Sequence, residues 1–200
     1  MKFGICCGPT SLAAENGELA SSIARLMDTM QDARADYVEF GVAAVHPAGD
    51  RAKFEELREA VASAGLRVEA FNSFIPAHHR VTGPEVDLES ALGYCRSALL
   101  RCRELGGAVV VLGSAGARKV PPEFDTEQAE KQFVRFCRAL GPLAEEAGID
   151  IALEPLNARE DNLLLSVEHG AKLVDEIKQP RIRLLADLYH MAEELSLIHI

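Results

Sequence analysis

The 200-residue chain is 48% hydrophobic and 26% charged and has no low-complexity tract, which suits one well-buried domain and argues against disorder. Its formal net charge of −10 repels phosphate backbones and makes nucleic acid a poor partner. The strand-like apolar run Ala108–Leu112 is far too short to cross a bilayer, and MKFGICCGP does not have the pattern of a signal peptide, so a soluble cytoplasmic protein without a membrane partner is expected. The cysteines, Cys6, Cys7, Cys95, Cys102 and Cys137, are odd in number, form no CxxC and fit no zinc spacing. They read as reduced thiols, with Cys95 and Cys102 on one buried helical face.

Strands are expected at Lys2–Cys6, Tyr37–Phe40, Val68–Phe71, Ala108–Leu112, Asp150–Glu154 and Ile182–Asp187, with helices at Glu18–Gln31, Asp50–Ala64, Leu88–Leu105, Glu127–Ala147 and Val167–Ile177. A recurring unit links them: an amphipathic helix, a glycine, then a short apolar strand. Gly65, Gly106 and Gly148 are the glycines, each placed where a left-handed residue ends a helix. Asp125 or Thr126 can cap the fourth helix and Ser166 the fifth, and Pro180 separates the fifth helix from the sixth strand. Strict alternation of helix and strand implies an α/β fold with parallel strands and crossover helices. Strand starts recur every 30 to 42 residues or so, whereas eight such units need about 250 residues, so six of eight units fit here.

Two acidic residues stand where a core would not choose them. In IALEPLN, Pro155 biases Glu154 toward extended backbone at the carboxyl end of its strand. In IRLLADLYH, Asp187 closes a mostly apolar run and His190 follows three residues on. Parallel α/β folds gather their sites at that end of the sheet, and two hard oxygen ligands suit a divalent cation. A helix cap or a surface ion pair is the plainer role for either carboxylate, and packing on Tyr189 or capping the next helix the plainer role for His190.

The segments IALEPLNAREDN and LLADLYHM resemble the xylose isomerase-like TIM barrel superfamily, and within it the ketose 3-epimerase and sugar phosphate isomerase/epimerase group. YVEFG, FNSFIP and VTGPE are weaker signals of the same kind. The resemblance implies an incomplete (β/α)8 TIM barrel and a metal-dependent isomerase or epimerase of carbohydrate metabolism, working by proton transfer through an enediolate. It makes Glu154 both metal ligand and proton-transfer base, Asp187 a metal ligand, and Glu160 and His190 substrate-binding residues. The cofactor it implies is a divalent metal, Mn²⁺, Mg²⁺ or Co²⁺, with zinc also admissible. The partner is a small-molecule sugar, and homo-oligomerisation stays open.

Departures from the pattern concern the end of the chain. The family completes its site with a histidine on strand seven and a glutamate on strand eight, and neither strand fits in this sequence. Residues 1–194 read as a partial barrel and 195–200, LSLIHI, as an atypical tail of foreign sequence, so His199 is not taken for the missing histidine. The truncated chain is therefore expected to be inactive. Among weaker candidates, Asn72 ends strand three and can line the site as a substrate-binding residue, while Glu39 either faces the pocket or pairs with an arginine. His46, His78 and His79 read as loop residues. Gly113, Ser114, Gly116 and Arg118 either cradle a phosphate or sugar hydroxyls or form a plain glycine-rich loop. Three rivals remain: an abasic-site endonuclease of the same superfamily, a doubly wound nucleotide-binding domain, and a catalytically dead fragment. The endonuclease would need more histidines at strand ends and a basic surface, and the nucleotide fold a glycine-rich fingerprint that CCGPTSLAAENG lacks.

Overall fold

A computed structural model describes residues 1–7, 19–45, 49 and 51–194; the LSLIHI tail with His199, the residues around Pro9 and His46 lie outside the described residues. Six parallel strands pair in sequence order: β1 (Gly4–Cys6), β2 (Tyr37–Gly41), β3 (Val68–Asn72), β4 (Val109–Leu112), β5 (Asp150–Leu153) and β6 (Ile182–Leu184). Between them run α1 (Leu19–Ala33), α2 (Arg51–Ala64), α3 (Leu88–Glu104), a four-residue α4 (Ala115–Arg118), α5 (Thr126–Ala147) and α6 (Val167–Ile177), and α7 (Leu188–Glu193) follows β6. Sequential order with no reversal is the topology of a TIM-barrel wall, not of a doubly wound sheet, whose order reverses at a switch point. The wall is not closed: β1 and β6 form its two ends. Among the described residues, no helix is long and apolar enough to cross a membrane.

Alternation along the strands sorts the two faces. Val38 and Phe40 in β2, Val110 and Leu112 in β4, and Ile151 and Leu153 in β5 join the main core with the helices. That core includes Cys95, Leu99 and Cys102 of α3 and Phe133, Phe136, Cys137, Leu140 and Ala144 of α5. Cys95 and Cys102 thus share a buried helical face, and all five cysteines are free thiols. Burial pushes the Cys95, Cys102 and Cys137 thiols far up, so they behave as small hydrophobes.

Local signals end the elements where the chain must turn. Asp125 accepts from the Gln128 N–H to cap α5, and Ser166 accepts from the His169 N–H to cap α6. Gly148, at φ 68°, closes α5 in the left-handed conformation. Two strands stop earlier than the apolar pattern suggests. β5 ends at Leu153 and β6 at Leu184, so Glu154 and Asp187 stand just beyond the ladder. Pro155 offers no N–H to prolong β5, and Asp187 turns the chain into α7 by accepting from the Tyr189 and His190 N–H groups. The short α4 carries too little periodicity to be foreseen.

Arg118 in α4 fastens the strand ends that matter. Its guanidinium is wholly buried and makes three bonds: to Asp161 Oδ2 at 2.7 Å, to the Leu112 carbonyl at 3.0 Å and to the Glu154 carbonyl at 2.8 Å. It therefore joins the ends of β4 and β5 to the loop after β5. Arg118→Met strands the Asp161 carboxylate without a counter-charge and should cost about 3–5 kcal/mol. The double replacement Arg118→Met/Asp161→Leu should recover much of that, read from the urea midpoint. Leu140→Ala, in the centre of the α5 face, should cost about 2–5 kcal/mol. Lys131→Ala, which breaks only the exposed pair with Glu127, should change stability by less than about 0.5 kcal/mol.

Candidate metal and sugar site

The carboxyl ends of the six strands surround a cavity of about 1250 Å³. Glu154, Asp187 and His190 meet in its wall, each half-buried, with one ligand atom from each lying within 4.8 Å of the others. Their placement follows from the parallel register: Leu153 pairs with Leu184, so the residues just after β5 and β6 emerge side by side.

Glu154 reaches its place because position 113 has no side chain. A Cβ on Gly113 would come within 2.0 Å of Glu154 Oε2, so the carboxylate lies over the end of β4. Burial above all, then the Asp187 charge and smaller repulsions from Glu39 and Glu160, together push the Glu154 carboxyl up to about 7 against the opposing pull of Arg118. A carboxyl in this state is the expected signature of a proton-transfer group or of an ion-binding pair. Asp187 uses Oδ1 for the α7 cap, and no donor takes Oδ2 among the described residues. The helix-cap role foreseen for a lone aspartate is thus real and coexists with its place in the cavity.

Three groups within 4.8 Å of one another match the spacing that an ion ligated at about 2.1–2.6 Å imposes. The two hard carboxylates fit Mn²⁺, Mg²⁺, Co²⁺ or Zn²⁺ by donor type, with the His190 ring close beside them. Across the cavity, Asn72 donates from Nδ2 to Glu39 Oε1 at 2.7 Å and to Cys6 Sγ at 3.1 Å. Glu39 lines the cavity, and among the described residues it pairs with Asn72 and with no arginine. Glu160, more exposed, lines the same space beside His190.

Other candidates take plainer parts. Ser114 Oγ accepts from the Ile75 N–H, Gly113 lies under Glu154, and Arg118 is buried, so each of these three residues has a structural part in the segment 113–118. In the loop after β3, His78 packs on His79 and His79 on Tyr94, and neither histidine lines the cavity. Two residues were missed by motif reasoning. Asn157 is almost wholly buried, and its side chain bonds both Glu160 and His190; Asp161 is the partner of Arg118. Their only visible signal was their place in the segment LEPLNARED that already held Glu154.

Comparison with known proteins adds three similarities. A D-psicose 3-epimerase from Enterocloster bolteae is 24% identical over 196 residues, covering 96% of this chain but 63% of that protein. The chain thus spans less than two thirds of that relative's length. The structure of a D-psicose 3-epimerase with D-tagatose from Clostridium cellulolyticum H10 superposes with a TM-score of 0.76 at 20% identity, over 97% of this chain and 66% of that one. A 3-keto-D-glucoside 4-epimerase from E. coli superposes with a TM-score of 0.74 at 21% identity, over 97% and 71% respectively. These likenesses concern the fold. The family model described as xylose isomerase-like TIM barrel matches residues 22–198, and on that match the chain belongs to the xylose isomerase-like TIM barrel family.

Proposed function

We propose that this chain is the larger part of a divalent-metal-dependent isomerase or epimerase acting on a ketose or a sugar phosphate. The observation that carries the reading is the convergence of Glu154, Asp187 and His190 within 4.8 Å at the carboxyl ends of adjacent strands. Residues 1–194 would form one partial barrel domain. Further ligands of the complete site would come from outside these residues, and the isolated chain would not turn over.

Glu154 and Asp187 would hold the ion, which when bound supplies a Lewis acid that acidifies the C–H beside a sugar carbonyl. Glu154 would take the proton from that carbon. With its carboxyl at about 7, it is both a competent base and, once protonated, a competent acid near neutral pH. Glu160, His190 and Asn72 would hold the oxygens of the sugar and fix which face of the carbon Glu154 meets. Lys53 is the only lysine or arginine among the described residues lining the cavity, against Glu39, Glu56, Glu154, Glu160 and Asp187. An acidic lining of this kind suits a polyhydroxylated small molecule and opposes a DNA backbone, which disfavours the abasic-site endonuclease reading.

Titration of this chain with Mn²⁺ should reveal one site, weakened at least tenfold by Asp187→Asn; equal binding by the variant would defeat the ligand assignment. In the full-length parent, Glu154→Gln should lower solvent-proton exchange at the sugar carbon by about 10²–10⁴-fold while leaving the far-UV circular dichroism unchanged. Persistent exchange would remove Glu154 from the base role.

A pH dependence follows from the same carboxyl. Its folded-state pKa lies above the ordinary value of 4.5, so the folded chain binds the extra proton between about 4.5 and about 7. Stability is highest below that window and falls as pH rises through it. The loss, discounted for partial exposure, should be about 1–2 kcal/mol. Urea midpoints at mildly acidic and mildly alkaline pH should show it without metal. Glu154→Gln or saturating Mn²⁺ should flatten it.

A further inference from the structure

We propose that Asn157 is a positioning residue that fixes His190 as a hydrogen-bond donor through Nε2 and so keeps its ring for a substrate oxygen, not for the ion. The role of His190 as a substrate contact rests on the functional reading above; its orientation rests on geometry alone.

Every hydrogen-bonding group of the Asn157 side chain is assigned by its neighbours. Oδ1 accepts from the Arg159 N–H at 3.1 Å. Since Oδ1 is spoken for, Nδ2 is the group that faces Glu160 Oε1 at 2.8 Å and His190 Nδ1 at 3.0 Å. An amide nitrogen only donates, so its two hydrogens serve these two acceptors. The Asn157 backbone N–H also points at His190 Nδ1, at 3.2 Å. Two donors converging on Nδ1 require a lone pair there, and in the neutral ring this places the proton on Nε2.

The frame around this contact is tight. Asn157 is 1% exposed. α7 is clamped to the 157–160 loop twice more, by the Ala158 N–H on Glu194 Oε1 at 2.6 Å and by the Arg159–Glu193 ion pair. Swinging the ring away would break both contacts that Asn157 makes to Nδ1. Nε2–H is a donor and has no lone pair for a cation, which separates His190 from the two carboxylates although all three lie close together. One amide thus sets two groups at once: it presents His190 as donor and turns Glu160 beside it as acceptor, a pairing that can read one hydroxyl and one carbonyl oxygen of a sugar.

The test is long-range ¹⁵N–¹H correlation of the histidine side chains in mildly alkaline, metal-free buffer, with His190 assigned by its disappearance in His190→Gln. Wild type should show the single tautomer protonated at Nε2. Asn157→Asp replaces the donor by an acceptor and should move His190 toward protonation at Nδ1, with the other histidines unshifted. Asn157→Ala, which leaves only the backbone N–H, should give intermediate, averaged shifts, and it serves if the aspartate variant does not fold. A wild-type ring protonated at Nδ1 or freely averaging, or variant spectra identical to wild type, would overturn the proposal. The readout needs neither metal nor sugar, so absent metal binding would count against the functional reading while leaving this one intact.

Discussion

Carboxylates that repel one another stand together in this protein because the strands that carry them are parallel neighbours in register. β5 and β6 pair Leu153 with Leu184, so whatever follows them must emerge on the same rim. Asp187 raises the Glu154 carboxyl, with smaller contributions from Glu39 and Glu160, and burial raises it more than any of them. A fold selected only for stability would place a cation among these groups. The cation that pulls the Glu154 carboxyl down, Arg118, instead lies beneath the rim, paired with Asp161, where it grips the Glu154 backbone carbonyl.

The opposite ends of the strands are arranged in the contrary way. Lys2 pairs with Glu69 at 2.7 Å, and Arg181 and Arg183 both reach Asp150, at 2.9 and 2.8 Å. Acidic residues there are matched by bases, whereas the acids at the carboxyl ends are left to one another and to Asn72 and Asn157. This asymmetry between the poles is what a barrel with a site on one rim requires: neutralised charge where only stability counts, and unmatched charge where a ligand must enter. Exposed pairs contribute little, so the stability of the wall rests on its buried core, to which the facing sides of α3 and α5 belong.

Much of this was legible in the sequence because period and punctuation are local. The glycine-ended helices and apolar runs marked six strands in order, and Pro155 after Glu154 and DLYH after the last strand marked the two strand ends that carry the cavity carboxylates. Strand ends were drawn one to three residues too long at β5 and β6, since hydrophobicity continues past the point where a missing N–H or a side-chain cap ends the ladder. Arg118 was ambiguous for a different reason. An arginine after a glycine-rich strand end reads equally as an anion ligand or as a loop residue, and only the three-dimensional proximity of Asp161, distant by 43 positions, buries it. Asn157 was missed because an asparagine in a loop ordinarily signals a turn, and its two acceptors lie 3 and 33 residues away.

The two hidden residues explain how a site of mutually repelling groups can be rigid before any ligand arrives. Repulsion alone would splay Glu154, Glu160 and Asp187 apart and let each rotate into water. Arg118 prevents this by holding the Glu154 backbone and not its carboxylate, which leaves the side chain's charge unspent. Asn157 does the same for its neighbours: it is uncharged, so it can orient Glu160 and His190 without neutralising either. Asp187 is held by backbone N–H groups of its own helix through one oxygen, keeping the other for the cavity. In each case the fixing contact leaves the carboxylate without a counter-charge. Preorganisation of this kind places the electrostatic cost in the fold itself, where burial of Glu154 already registers it.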